Sequence, residues 1–394
     1  MEASFETVIK ELKLDKRDWV LTKFGDIALQ QKQKVDRENT NLKSYVKGEH
    51  MASEDIHLRQ WGELKDEYLG PAFIRRFDKD DILYGSRRTY LKKVVIAPFS
   101  GITSNTTFVI KANEEKVDKR LLPFIMLSEG FTENSIRNSK GSVNPYINWK
   151  DIAKYEFLLP PKEQQEKITK LLLAADETIE NEYNLLSKLN IQLKVEEKKY
   201  FYDYSKSYLC RLGSVVEKSI SGGTPNTKVI EYYTDGVIPW ITTKLIIGDQ
   251  VNAGEKYITD KAILESPAKV LMKDNIVCGT RVGVGKFSIN DVDISFSQDV
   301  TGLMVNKEKI DIEFLIYQLN SSVIRFKITP FLRGTTIKGI TKEDLLGLKI
   351  YKPSIKKQID IKNRIQTIKN ALHNASGKNK HSKVFQKSLI NQVF

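Results

Sequence analysis

Cysteine is nearly absent. The 394-residue chain carries only Cys210 and Cys278, far apart and without the close spacing of metal ligands. That excludes a disulfide framework and fits a reducing compartment. Histidine is as sparse, with His50, His57, His373 and His381 scattered along the chain, so no metal or catalytic centre is indicated there. No apolar run approaches the roughly 18 residues of a membrane span, and no secretory leader opens the sequence. A cytoplasmic protein is therefore expected. Acidic residues are in deficit, 50 against 63 basic ones, which leaves a formal charge of +13 and a pI near 9.3. A surface of that sign attracts polyanions, nucleic acid first among them.

Catalytic signatures are missing as well. An adenine methyltransferase holds its flipped base with Asn/Asp-Pro-Pro-Tyr/Phe. The nearest match, Asn144-Pro145-Tyr146, lacks one proline and reads as a turn before Ile147. Residues 279–286 (Gly-Thr-Arg-Val-Gly-Val-Gly-Lys) have one residue too many between Gly279 and Gly285 for a P-loop. Phe287 then stands where a Ser or Thr would bind magnesium, so the stretch reads as a basic hairpin turn. No metal site is expected in the chain, and the chain alone is not expected to be an enzyme.

What is present begins with helices. Between Pro161 and Gly213 there is neither Gly nor Pro. A proline pair is tolerated in a first helical turn and nowhere deeper, so Pro160-Pro161 marks a helix start. Ile168, Leu172, Ala175 and Ile179 follow at heptad-like spacing, and Leu186, Leu189 and Leu193 extend the seam. Nearly forty residues would span about 55–60 Å. After Pro353 the pattern returns at Ile361, Ile365, Ile368, Leu372 and Ala375. The differences 361 − 168, 365 − 172, 368 − 175 and 372 − 179 all equal 193. Gly141/Gly334, Ile147/Ile340, Asp151/Asp344, Pro160/Pro353, Gln165/Gln358 and Lys194/Lys387 are identities at the same offset. This is an internal repeat.

A globular segment precedes each helix. In the first, Ile82-Leu83-Tyr84, 93–97 and 107–110 read as short strands, and 121–128 as a helix. Residues 79–87 match 273–281, Leu21–Gly25 matches 209–213, and Trp61 is aligned with Trp240, both assigned to the core. The expected organisation is a helical segment (1–18), a first domain (19–159), a first long helix (160–205), a second domain (206–352) and a second long helix (353–394), the last kinked or broken at Gly377. The matching seams fit an antiparallel coiled coil within one chain, giving a pseudo-two-fold α+β protein; homodimerisation through the helices is the alternative.

Exposed polar loops supply the candidate nucleic-acid contacts. In the first domain these are Arg87, Arg88, Lys92 and Lys93 around one turn, and Lys140, Ser142, Asn144 and Tyr146 before the helix. In the second they are Arg281, Lys286, Arg333, Thr335, Thr336 and Lys338, with Gln298 in a further loop and Thr224 and Asn226 in a Gly-rich one. Lys and Arg satisfy phosphates, and Arg, Lys, Asn, Gln, Ser and Thr reach base edges.

Ser221-Gly222-Gly223-Thr224-Pro225-Asn226-Thr227, Tyr232-Tyr233, Ile238-Pro239-Trp240-Ile241-Thr242, Arg333-Gly334-Thr335-Thr336 and Pro160-Pro161…Gln164-Gln165…Ile168 appear in order, and the chain closes on Leu389-Ile390-Asn391-Gln392-Val393-Phe394. Together they resemble the specificity subunit of type I restriction–modification enzymes. The first half departs from the pattern, with Gln30-Gln31-Lys32-Gln33 where the Gly-Gly-Thr-Pro loop would stand. The resemblance implies two target-recognition domains, each reading one half of a split site on double-stranded DNA. The helices would act as a ruler, with Ile168, Leu172, Ala175, Ile179, Ile361, Ile365, Ile368 and Leu372 in the spacer seam, and would dock two methyltransferase (modification) subunits and, optionally, two restriction–translocation subunits. Those partners would supply the chemistry of S-adenosylmethionine, ATP and magnesium; this chain would hold no cofactor. Two rival functions are a self-sufficient adenine methyltransferase or nuclease and a coiled-coil adaptor that binds nucleic acid without sequence preference.

Overall fold

The computed structural model describes residues 16–36, 39–202, 208–335 and 338–394. The helix expected over residues 1–18 falls, apart from its last three residues, outside them. The chain divides into two units, Met1–Tyr183 with Lys378–Phe394, and Asn184–Gly377.

In the first unit, strand Val20–Lys23 pairs antiparallel with Glu156–Leu159, so the two ends of the globular segment meet where Pro160-Pro161 starts the long helix Lys162–Phe201. A four-stranded sheet runs in the order Ala28–Gln31, Thr107–Ala112, Ile82–Gly85, Val94–Ile96. A second runs Gly62–Glu63, Ser44–Val46, Gly101–Ser104, Phe73–Phe77. Successive strand residues face opposite sides. Ile82, Tyr84, Phe108 and Ile110 therefore pack into a core with helices Leu122–Leu127 and Glu129–Arg137, while Leu83, Val95 and Val109 pack on the other side with Val46 and Phe77. The helical core also takes in Ile168 and Leu172 from the start of the first long helix, and Leu389, Ile390 and Val393 from the end of the second. Asn379 Nδ2 donates to the Ile179 carbonyl at 3.2 Å, Ser382 Oγ to Glu182 at 3.0 Å and Gln386 Nε2 to Asp176 at 3.2 Å. Lys16 Nζ donates to the Gln392 and Val393 carbonyls, where a helix end favours a cation.

The second unit repeats this plan. Leu209–Arg211 pairs with Lys349–Tyr351 ahead of the long helix Ile355–Val393, a five-stranded sheet is built on Val300–Val305 and Ile276–Gly279, and a four-stranded one on Ile238–Ile241 and Ile294–Phe296. Its main core contains Ile361 and Ile365 from the start of the second long helix and Phe201 from the end of the first. Cys278 lies in that core, and burial pushes its thiol up to about 12, so it behaves as a small apolar residue.

The repeat extends to individual hydrogen bonds. Gln165 accepts from the Asp118 N–H at 2.8 Å and donates to the Pro160 carbonyl at 2.9 Å; Gln358 does the same with Asp311 (2.8 Å) and Pro353 (2.7 Å). Ser128 caps the helix beginning at Glu129 as Ser321 caps the one beginning at Ser322. Each pair is separated by 193.

Three expectations are corrected. The second long helix runs unbroken through Gly377; one glycine costs a helix only about 1 kcal/mol, and packing along 39 residues absorbs it. Trp61 is not in the core: it is 48% exposed and lies edge-on to Phe99 at 5.1 Å. The residue in register with Trp240 is Tyr45, since Tyr45 pairs with Ile102 as Trp240 pairs with Ser295.

Candidate nucleic-acid interface

One end of the sheet in each unit gathers the predicted loops. In the first unit Gly85 pairs with Thr107 and Gln31 with Val109, so the chain after Gln31, the Asn105–Thr106 turn and the turn at Ser86 leave from the same edge. Residues 140–146 close a small hairpin, Lys140 and Tyr146 exchanging backbone bonds of 2.8 and 2.9 Å, with Gly141 at φ +86°, where an L side chain would be strained. The hairpin is stitched to the Ser86 turn by Ile147 N–H to Ser86 O (2.9 Å) and Arg88 N–H to Pro145 O (2.7 Å). Arg87, Arg88, Lys140, Ser142, Asn144 and Tyr146 thereby form one exposed rim.

The second unit builds its rim with the same bonds. Arg333 and Gly339 exchange backbone bonds of 2.9 and 2.8 Å, Gly334 stands at φ +108°, and the Ile340 N–H reaches Thr280 O at 2.8 Å. Arg281, Lys286, Arg333, Thr335 and Lys338 are exposed around this junction, and Thr336 lies outside the described residues. Gly222 N–H donates to Val300 O, which brings the Gly-rich loop to the same edge. A Cβ on Gly222 would sit 2.1 Å from Ser297 O, so only glycine fits that approach. Thr224 Oγ1 then donates to Gln298 Oε1 at 2.6 Å, and the Asn226 Oδ1 accepts from the Lys228 N–H. Arg333 is 70% exposed and forms a 3.0 Å ion pair with Asp344.

Two predicted residues sit differently. Lys92 is only 7% exposed, its ammonium 2.9 Å from Glu129 and 3.4 Å from Glu54, which Lys387 also contacts. Carboxylates from two other segments draw it inward, so it ties the domain to the second long helix instead of facing solvent. Lys93 is half-buried, with its Nζ on the Gly48 carbonyl, and burial followed by the Arg88 charge lowers its pKa. Of the spacer seam, Ile168, Leu172, Ile179, Ile361, Ile365 and Ile368 are buried, and Ala175 and Leu372 half-buried.

Sequence reasoning missed Asn105. Its turn joins Gly101–Ser104 to Thr107–Ala112 as the Gln298 turn joins Ile294–Phe296 to Val300–Val305. The 193-residue offset that relates Asn105 to Gln298 was the available signal.

Each unit also has a charged contact between domain and helix. In the first, His57 Nδ1 lies 3.1 Å from Asp55 and Nε2 3.4 Å from Asp176, and Arg59 pairs with both Asp55 and Glu180. Burial alone would lower the His57 pKa; the Asp55, Asp176 and Glu180 carboxylates outweigh it and hold it raised. Burial would raise Asp55, but its bonds to His57 and Arg59 hold it at about 2. Burial raises Asp176 despite the facing His57. In the second unit the position 193 beyond Asp176 is Lys369, which pairs with Asp249. The domain segments match too: His57 bridges Ile96, and Gln250, next to Asp249, pairs with Ile289.

A family model described as the type I restriction modification DNA specificity domain matches this chain twice, over residues 16–190 and 205–380. The type I restriction enzyme MjaVIII specificity subunit of Methanocaldococcus jannaschii is 24% identical over 395 residues, covering 90% of this chain and 87% of its own. The crystal structure of the type I restriction-modification system S subunit from M. genitalium shares the fold with a TM-score of 0.58 at 14% identity, covering 97% of this chain and 98% of that one. A chain from a structural study of complex assembly and conformational transition in the type I R-M system does so with a TM-score of 0.59 at 17% identity, over 94% and 96%.

Proposed function

The chain belongs to the type I restriction–modification DNA specificity family, and from that premise we propose that each of its units reads one half of a split, asymmetric DNA site. The carrying observation is the pair of exposed rims. They are built from equivalent backbone bonds, Ile147 to Ser86 and Ile340 to Thr280, yet present different side chains. A repeated scaffold gives two modules of one design; unequal surfaces give two different half-sites. Basic residues recur at matched places, Arg87 with Arg281 and Lys140 with Arg333, where phosphate contacts would fix the register. The net charge of +13 supports a polyanionic partner.

The long helices set the gap between half-sites, since two linked readers need a fixed separation. We take them to pair antiparallel within the chain. Support comes from the bonds of Asn379 to Ile179 and Gln386 to Asp176, in which one number rises as the other falls. It comes also from each core holding the start of one helix and the end of the other. The chain itself is non-catalytic. It docks methyltransferase subunits, and restriction subunits where present, which carry S-adenosylmethionine, ATP and magnesium chemistry.

A methylation map tests this reading. The chain is expressed with its cognate modification subunit in a methylation-free host and modified adenines are located by sequencing. The expected result is a split, asymmetric motif with a constant gap and one methyladenine per strand. Arg333→Ala then weakens recognition of one half-site only. An unsplit motif overturns the two-reader assignment.

A further inference from the structure

An open groove of about 430 Å³ lies in the first unit between the end of strand Ala28–Gln31 and the Arg87–Tyr146 rim, with Phe108 and Trp149 among its apolar lining. Gln30 stands opposite Ile110, on the strand face that carries Ala28, so its register directs it to the side where Phe108 lies. Its Oε1 is buried and, among the described residues, has no hydrogen-bond partner. An orphaned amide oxygen is costly until a donor arrives, so this carboxamide gains from turning toward a ligand that brings one. Asn105 is exposed at the same groove. Its counterpart Gln298 is held by Thr224, whereas the first unit has no Gly-Gly-Thr-Pro loop to tether Asn105.

Two carboxamides beside one guanidinium make a specific chemical set. A carboxamide offers a donor and an acceptor together, the complement of adenine N6 and N7 in the major groove, while Arg87 suits a guanine edge or a phosphate. Phe108 and Trp149 line the groove beside these polar groups. We propose that Gln30 and Asn105 are base-reading side chains of the first unit, taking the major-groove edges of an adenine-containing half-site. This rests on the two-reader function proposed above.

The test uses the full chain assembled with its modification subunit. Duplexes carrying the mapped motif compete against duplexes with one base pair changed, at one fixed salt concentration. Asn105→Ala, an exposed turn variant, is expected to lose about tenfold discrimination at one base pair of one half-site and to keep discrimination at the other. Asn105→Asp is expected to shift preference at that pair toward one presenting the cytosine amino group. Gln30→Ala is expected to relax a neighbouring pair of the same half-site, with intact reading of the second half-site reporting a folded complex. Undiminished discrimination in both half-sites for Asn105→Ala and Gln30→Ala overturns this assignment alone. A wild-type chain without a split site overturns the two-reader function, and this assignment with it.

Discussion

Replacing Gln165 by alanine isolates one hinge of the architecture. Gln165 is 2% exposed, accepts from the Asp118 N–H and donates to the carbonyls of Pro160 and Lys116. Alanine leaves three backbone groups without that partner. Each such loss costs about 1 kcal/mol, and more where water cannot enter, so the first unit is expected to lose about 3 kcal/mol. That corresponds to roughly a 150-fold rise in its unfolding equilibrium, at about 1.4 kcal/mol per factor of ten. Gln358→Ala removes the bonds to Asp311 and Pro353 and is expected to cost the second unit about 2 kcal/mol. Native-state hydrogen exchange reads the units separately. Amides of Thr107–Ala112 report on the first and those of Val300–Val305 on the second. With Gln165→Ala, protection falls in the first set and holds in the second; Gln358→Ala gives the reverse. A change under threefold in the matching set, or equal loss in both sets, refutes the argument that these glutamines lock their own units.

The domain–helix contacts carry further outcomes. The raised pKa of His57 means that its stabilising contribution is complete below its ordinary value of 6.5 and is lost as pH rises through the folded value. The denaturation midpoint of the first unit should therefore fall on going from about pH 6 to pH 8, and His57→Gln should remove that slope; an unchanged slope in the variant refutes it. Asp55 has the opposite sign: its contribution is present above 3.8 and lost as pH falls toward about 2. Lys369→Glu sets like charges against each other at Asp249 and should destabilise the second unit by about 1–2 kcal/mol, between the surface and buried limits for ion pairs. Asp249→Lys in the same chain should restore most of that loss in a denaturant titration, and failure to do so would show that the pair contributes little.

Much of this organisation is written locally in the chain. The heptad seams, the proline starts and the 193-residue offset are legible because each depends on residues near in sequence. The hairpins at Gly141 and Gly334 are legible for the same reason, since a left-handed turn position selects glycine. Lys92 was not legible. Its burial depends on Glu54, Glu129 and Lys387, which only the folded chain brings together. Trp61 misled because a tryptophan near a strand suggests core, while the strand register gives that position to Tyr45. The groove at Gln30 was hidden similarly, since its walls join a strand end at Gln31 to the hairpin at Tyr146 and the helix start at Trp149, more than a hundred residues later.

The charge pattern at the domain–helix contacts bears on how a chain of two near-copies avoids folding into the wrong partner. In the first unit the domain meets the helix carboxylates Asp176 and Glu180 with His57 and Arg59, which its own Asp55 also contacts. In the second the signs are exchanged, Asp249 on the domain and Lys369 on the helix. A first domain seated on the second helix would set His57 toward Lys369, the counterpart of Asp176, and Arg59 toward His373, the counterpart of Glu180. A second domain seated on the first would set Asp249 toward Asp176 and Glu180. Both exchanged arrangements bring like charges together in partly dry contacts, while both native ones bring opposite charges together. Repeated architecture invites misassembly between copies, because the apolar seams alone cannot tell them apart. Here a single reversal of polarity labels each domain for its own helix, so the surfaces of the two domains can diverge without the copies losing their addresses.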